Sequence, residues 1–181
     1  EEELPAGFVL NAGMSYNKFY YGYKKTSDVN AFKESSNFTP QYIPRISFQK
    51  KLNPVNIYLA VSKGYSAPTI DEVHAGNDVF NAALKAETAI NYEAGIKGDI
   101  IKNKMWLDAA YYFFNLQHTI VSRRDSGGGD FYTNAGKTKQ RGAELSVHYL
   151  PVNNTDCLIR QFKISIGFTN IRARFKNYQQ G

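Results

Sequence analysis

Apolar residues recur at every second position through most of this chain. Phe8, Leu10, Ala12, Met14 and Tyr16 alternate with Val9, Asn11, Gly13, Ser15 and Asn17. Ile57, Leu59 and Val61 alternate with Asn56, Tyr58, Ala60 and Ser62, and Ile90, Tyr92, Ala94 and Ile96 with Asn91, Glu93, Gly95 and Lys97. Met105 to Phe113, Ala143 to Val147 and Phe162 to Phe168 repeat the pattern. Successive strand side chains point to opposite faces, so each segment predicts a strand with one apolar face and one polar or small face. About seven strands are expected, near residues 6–23, 41–51, 54–66, 87–101, 103–122, 130–150 and 158–177. Several approach ~20 residues, against a usual ~5–6 in globular proteins. Strands of that length suit an all-β, antiparallel membrane barrel better than a small sandwich, because a tilted spanning strand uses only ~9–11 residues inside lipid.

The connections alternate in length. Leu52-Asn53-Pro54, Lys102-Asn103-Lys104 and Pro151 to Asp156 read as tight turns, whereas residues 24–40, 67–86 and 123–129 are longer and rich in Ser, Asp, Asn and Gly. Short turns at one end and long loops at the other are the pattern of an outer-membrane barrel, periplasmic and extracellular respectively.

Composition narrows this little further. Of 181 residues, 14% are aromatic, with 13 Tyr, 12 Phe and one Trp, which favours pleated structure. The net charge of +6 comes from scattered Lys and Arg without a nucleic-acid-binding signature, so no nucleic-acid partner is expected. The single cysteine, Cys157, can form no internal disulfide and has no ligand-spaced neighbours. No apolar run approaches the ~18 residues of a membrane helix, which leaves strands as the way across a bilayer. His74, His118 and His148 lack metal spacing, and no metal or cofactor is expected. Glu87 and Glu93 share a strand face and could in principle form a glycosidase-like pair, but carboxylates on a polar lumen wall explain them as well. No Ser-His-Asp or Cys-His constellation can be nominated, so the chain is not expected to be an enzyme.

Three short segments carry a resemblance. Ser62-Lys63-Gly64-Tyr65-Ser66-Ala67-Pro68-Thr69 is similar to the "S-x-G-[FY]-x-A-P" segment of TonB-dependent outer-membrane receptors. Leu84-Lys85-Ala86-Glu87 followed by Tyr92-Glu93-Ala94-Gly95-Ile96-Lys97 resembles that family's "L-K-P-E…Y-E-x-G-x-K" strand, with Ala86 where Pro is commoner. Asn134-Ala135-Gly136 followed by Arg141-Gly142-Ala143-Glu144 resembles its "N-x-G…G-x-E" strand. Each segment alone is weak; the three in order are specific.

The resemblance implies an arc of a large transmembrane β-barrel, 22-stranded when complete. Residues 1–181 are then a partial barrel domain, with the plug domain and the TonB-box absent from this stretch. It implies the wall of an energised receptor in the bacterial outer membrane that imports a scarce ligand, a ferric siderophore or haem above all. The implied partners are its own plug, the TonB complex, a small-molecule or metal-chelate ligand, and outer-membrane lipid or lipopolysaccharide. A passive outer-membrane porin, or a soluble β-sandwich acting as a carbohydrate-binding or adhesin module, would share the alternation without the three segments.

Ligand contacts are expected in or beside the long loops, at Tyr65, His74, Asp78, Arg123, Arg124 and Tyr132. Gly64, Glu93, Gly95, Gly142 and Glu144 have the parity of the polar face and are expected to look toward the plug. The glycines would permit close backbone approach there, or would only ease local bending. Lys137, Lys139 and Arg141 share the parity of Leu145, so a regular strand puts them on the apolar face at the outer membrane boundary, facing lipopolysaccharide phosphate. Arg123 and Arg124 could extend that patch. A β-bulge would instead turn the cluster into the lumen.

Overall fold

The computed structural model describes residues 2–24, 33–75, 80–153 and 161–176. Its elements, in order, are β1 (Glu2–Leu4), β2 (Phe8–Asn17), β3 (Tyr20–Tyr23), β4 (Glu34–Asn37), β5 (Gln41–Lys51), β6 (Val55–Ser66), the single-turn helix α1 (Ile70–Val73), β7 (Glu87–Ile101), β8 (Met105–Gln117), β9 (Ile120–Arg124), β10 (Asp130–Asn134), β11 (Lys137–Asn153) and β12 (Gln161–Lys176). The main sheet has eight antiparallel strands in the order β1-β2-β5-β6-β7-β8-β11-β12, so it is open at β1 and β12. Two small ribbons, β3-β4 and β9-β10, stand apart from it. The expected all-β antiparallel architecture is what the chain forms.

The register turns the period-two pattern into two chemically distinct faces. Leu10, Phe48, Leu59, Ala94, Tyr111, Ala143 and Asn170 form one row across the sheet. One residue along each strand, Val9, Gln49, Tyr58, Gly95, Ala110, Glu144 and Thr169 form a row on the other face. The first face remains bare: Leu59 is 62% exposed, Ile166 60% and Phe168 57%. Among the described residues no second sheet packs on it, which a soluble sandwich would require. Aromatic pairs sit toward its two ends. Tyr16 lies 5.3 Å from Tyr42 at the loop end, and Phe8 stacks at 5.0 Å on Phe48 at the turn end. Such girdles flank the apolar band of transmembrane barrels.

Three expected strands prove to be interrupted. Residues 6–23 begin in a 3-10 turn, Pro5–Gly7, with Ala6 at φ 62° and Gly7 at φ 75°. They then divide between β2 in the sheet and β3 in a ribbon. Residues 103–122 break at His118, whose φ of 58° turns the chain out of the sheet. Residues 130–150 break before β11 at Gly136, whose φ is 110°. Conversely, the turn expected at Pro151–Asp156 starts later, because β11 continues through Asn153 with an irregularity between Tyr149 and Val152. Cys157 and residues 154–160 lie outside the described residues.

Candidate functional site

All three long connections leave the same end of the sheet, and they pack together. Phe38 beyond β4, Val73 of α1 and Leu84 before β7 form a buried cluster, with Tyr21, Phe80, Ala86, Ile120 and Tyr132 against it. Val73 is 0% exposed and Leu84 4%. The loop end therefore has a hydrophobic core of its own, where isolated polar loops would have none.

Polar side chains bolt this cap to the strand ends. Thr69 and Glu72 form a reciprocal capping box on α1: Glu72 N–H donates to Thr69 Oγ1 (3.3 Å), and Thr69 N–H to Glu72 Oε2 (2.7 Å). Asn134 joins two connections. Its Nδ2 donates to the carbonyls of Lys85 (2.9 Å) and His118 (2.7 Å), and its Oδ1 accepts from Lys85 N–H (2.8 Å). The Glu87 carboxylate accepts from Ile120 N–H at 2.7 Å, and Asn81 Nδ2 donates to the Tyr132 carbonyl at 3.1 Å. The Leu84-to-Glu87 and Asn134-to-Gly136 segments, 49 residues apart where Lys85 meets Asn134, are thus in direct contact.

The expected ligand residues divide. His74 lies in the cap, paired with Phe80 across a β-bridge and 4.0 Å from the Tyr23 ring. Tyr132 packs against the cap core and lines a hollow of about 410 Å³ with Glu72, Ala75, Phe80, Asn81 and Phe131. Tyr65, at the loop end of β6, stacks 5.7 Å from Phe19; its hydroxyl is buried without a hydrogen-bond partner among the described residues. Arg124 stands away from these at the exposed ribbon tip, holding Asp130 through Nε–Oδ1 (2.9 Å) and Nη2–Oδ2 (3.4 Å). That bond and charge push the Asp130 carboxyl below, and the Arg124 guanidinium above, their usual pKa values. Arg123 sits beside it, opposite Phe131 in the ribbon register. Asp78 lies outside the described residues.

Gly64, Glu93, Gly95, Gly142 and Glu144 all fall on the polar face, as their parity requires. Two of the glycines have neighbours the alternation does not show. A Cβ at Gly95 would collide with the ring of Tyr58, and one at Gly142 would meet the Tyr112 ring at 2.5 Å and the Asn170 carbonyl at 2.9 Å. Each therefore leaves room for a tyrosine from the neighbouring strand to lie across the sheet. At Gly64 a Cβ would meet only Ala89 Cβ, at 3.6 Å. The Tyr58 hydroxyl donates to Glu93 Oε1 (2.8 Å), and Asn91 Nδ2 to Glu93 Oε2 (3.4 Å). Glu93, Asp108 and Glu144 line a hollow of about 430 Å³ with Tyr58, Tyr112 and Thr169. Among the described residues no group of His, Cys, Asp and Glu has the geometry of a metal site, and no helix is long and apolar enough to cross a membrane.

The architecture has relatives. The siderophore receptor PiuA from Acinetobacter baumannii superimposes with a TM-score of 0.68 at 22% identity, over 94% of this chain and 24% of that one. The copper transporter OprC gives 0.67 at 15% identity, over 93% and 26%. The Serratia marcescens hemophore receptor HasR, a double mutant in complex with its hemophore HasA and heme, gives 0.57 at 15% identity, over 91% and 30%. The chain thus spans between about a quarter and a third of these proteins. The family described as TonB dependent receptor-like, β-barrel, matches residues 3–180. The chain belongs to the TonB-dependent receptor β-barrel family and is a part of such a barrel.

Proposed function

We propose that this segment is part of the wall and loop mouth of an outer-membrane receptor that takes up a scarce, metal-bearing ligand, a ferric siderophore or haem, with energy delivered through TonB. One observation carries the reading: a two-faced sheet whose bare, predominantly apolar face is topped at the loop end by a packed cap. On β8 the band runs Met105, Leu107, Ala109, Tyr111 and Phe113, a nine-residue span that matches the ~9–11 residues needed to cross the hydrocarbon. The bare face meets lipid, and the polar face with Glu93, Asp108 and Glu144 meets the plug and the aqueous path. The work of such a wall is binding and passage. The named relatives, a siderophore receptor, a copper transporter and a hemophore receptor, support a metal-bearing ligand.

In the cap, Tyr132 and His74 are the ligand contacts of first choice; Tyr65 ranks below them, because its register puts it on the face of Leu59 and Val61. Arg124 is the weakest candidate, because Asp130 occupies its guanidinium. The test is uptake by cells expressing the full-length receptor as their sole receptor of this family. Labelled ferric siderophores, haem and copper are offered with and without TonB. Uptake of one of them that disappears without TonB is the expected result. Residence outside the outer membrane, or TonB-independent flux of small solutes in general, would replace the reading with a different one, the second of these with a porin.

A further inference from the structure

The loop-side ends of β11 and β12 carry an arrangement that neither transport nor plug packing uses. Lys137 pairs with Lys176, Lys139 with Arg174 and Arg141 with Arg172, in a register without a break as far as Tyr149–Ile164. The parity bulge that would have turned Lys139 and Arg141 to the polar face is therefore absent. All six side chains share the face of Leu145, Val147, Ile166 and Phe168. Like charges placed directly opposite each other in a sheet repel, and here three consecutive alternate rows do so. Their neighbours bring no opposite charge, although the Phe113 ring lies 5.6 Å from Lys139 Nζ. The same rows continue into Gln117, Asn115 and Phe113 on β8 and Thr88, Ile90 and Tyr92 on β7. No Asp or Glu occupies this face of β7, β8, β11 or β12 among the described residues. A cationic ladder of this kind calls for an anion from outside the sheet.

The surroundings specify which anion. Lys139, Arg141, Arg172, Arg174 and Lys176 line a hollow of about 330 Å³ with Phe113. Guanidinium forks match phosphate oxygens in pairs. Two rows below Arg141–Arg172, about 13 Å along the strands at ~3.3 Å per residue, the ladder becomes Leu145–Phe168 and then Val147–Ile166, with Leu145, Phe168 and Ile166 exposed and Val147 half-buried. A ligand filling both levels is phosphorylated at one end and has hydrocarbon chains at the other.

We propose that this ladder binds the phosphorylated headgroup of an outer-leaflet glycolipid of the lipid A type, with its acyl chains lying along Leu145, Val147, Ile166 and Phe168. The proposal rests on the reading that the bare face meets lipid. The pairing partners on β12 double the cluster that β11 carries alone. Arg124 takes no part, since Asp130 already neutralises it.

The test uses the full-length receptor, extracted from outer membranes in mild detergent, and counts bound lipid by native mass spectrometry. Bisphosphorylated lipid A, its dephosphorylated form and inorganic phosphate are the probes. The wild-type protein is expected to retain the bisphosphorylated lipid, to release the dephosphorylated one, and to hold the former against excess inorganic phosphate. Lys139→Gln with Arg141→Gln, Arg172→Gln and Arg174→Gln should lower retention roughly tenfold or more, at about one strong charge contact per residue. The smaller pair Lys139→Gln and Arg174→Gln serves if the fourfold variant fails to insert, with a partial loss expected. Arg45→Gln, on the polar face, should change nothing. Equal retention by wild type and variants, equal retention of the dephosphorylated lipid, or displacement by inorganic phosphate would each overturn the proposal. A receptor that fractionates with the outer membrane and yet shows one of these results sinks this inference alone; one that does not reach the outer membrane sinks the wall reading first.

Discussion

Replacing Asn134 by Ala removes three hydrogen bonds at once and should release the loop cap while sparing the wall. The amide is half-buried, uses both Nδ2 hydrogens on the Lys85 and His118 carbonyls, and accepts from Lys85 N–H through Oδ1. A typical intramolecular hydrogen bond contributes about 1 kcal/mol net, so Asn134→Ala should cost about 2–4 kcal/mol of local stability. Asn134→Asp is the sharper perturbation. It keeps the acceptor for Lys85 N–H, loses both donors and sets a carboxylate against two carbonyl oxygens, so it should do at least as much harm despite its near-identical shape. Hydrogen exchange on the full-length receptor in detergent or nanodiscs reads the effect. Residues 82–88 and 118–136 should exchange some tens to hundreds of times faster, the fold-change of that free energy, with β7 and β8 away from the cap unaffected. If exchange in the cap is unchanged, or if Asn134→Asp is milder than Asn134→Ala, the clamp is not what joins these segments.

Leu59→Arg should hinder insertion of the full-length receptor by about 2–4 kcal/mol, the cost of a cation near the bilayer midplane, whereas Ser62→Arg, on the polar face beside Arg45, should cost far less; equal effects in a folding titration into bilayers would refute the face assignment. Gly95→Ala should expel the Tyr58 ring and break its bond to Glu93, costing about 1–3 kcal/mol; in a Tyr58→Ala background the same change should be nearly silent, and an undiminished penalty in that double-mutant cycle would deny the ring its role. The Asp130 carboxyl is held below its usual pKa by the bond and charge of Arg124, so the ordering it gives the β9-β10 tip is fully present above the ordinary carboxylate pKa of about 3.9 and is lost as pH falls through its lowered value. Exchange at Asp125 to Asp130, corrected for intrinsic rates, should therefore be flat from neutral pH to about 5 and rise only in more acid solution.

The wall was legible and the mouth was not, for a physical reason. Period-two alternation located β5 and β7 at their observed bounds, residues 41–51 and 87–101, because a sheet with one bare apolar face repeats a simple rule along every strand. The same rule ran past His118 and Gly136. A left-handed residue redirects the chain without disturbing the alternation around it, and His118 is not the glycine that would advertise such a turn. The side-chain clamp of Asn134 on Lys85 depends on tertiary placement and leaves no periodic trace. The parity of Gly95 and Gly142 marks them for the polar face, but that a cross-strand tyrosine lies against each is a contact that only the register reveals. The basic cluster of β11 was visible as a cluster, but its like-charged partners on β12 became its neighbours only on pairing.

The cap with its own small core has a consequence for how such a receptor can diversify. Phe38, Val73 and Leu84, with Ile120 and Tyr132 against them, hold the three connections to one another, while Asn134 and Glu87 hold the assembly to the strand ends. Between those anchors, residues such as His74 and Phe131 can be exchanged for others of similar bulk without a change in any strand register. Recognition can then drift by point substitution at the mouth, as in an antibody whose framework stays constant, while the wall below continues to satisfy the bilayer.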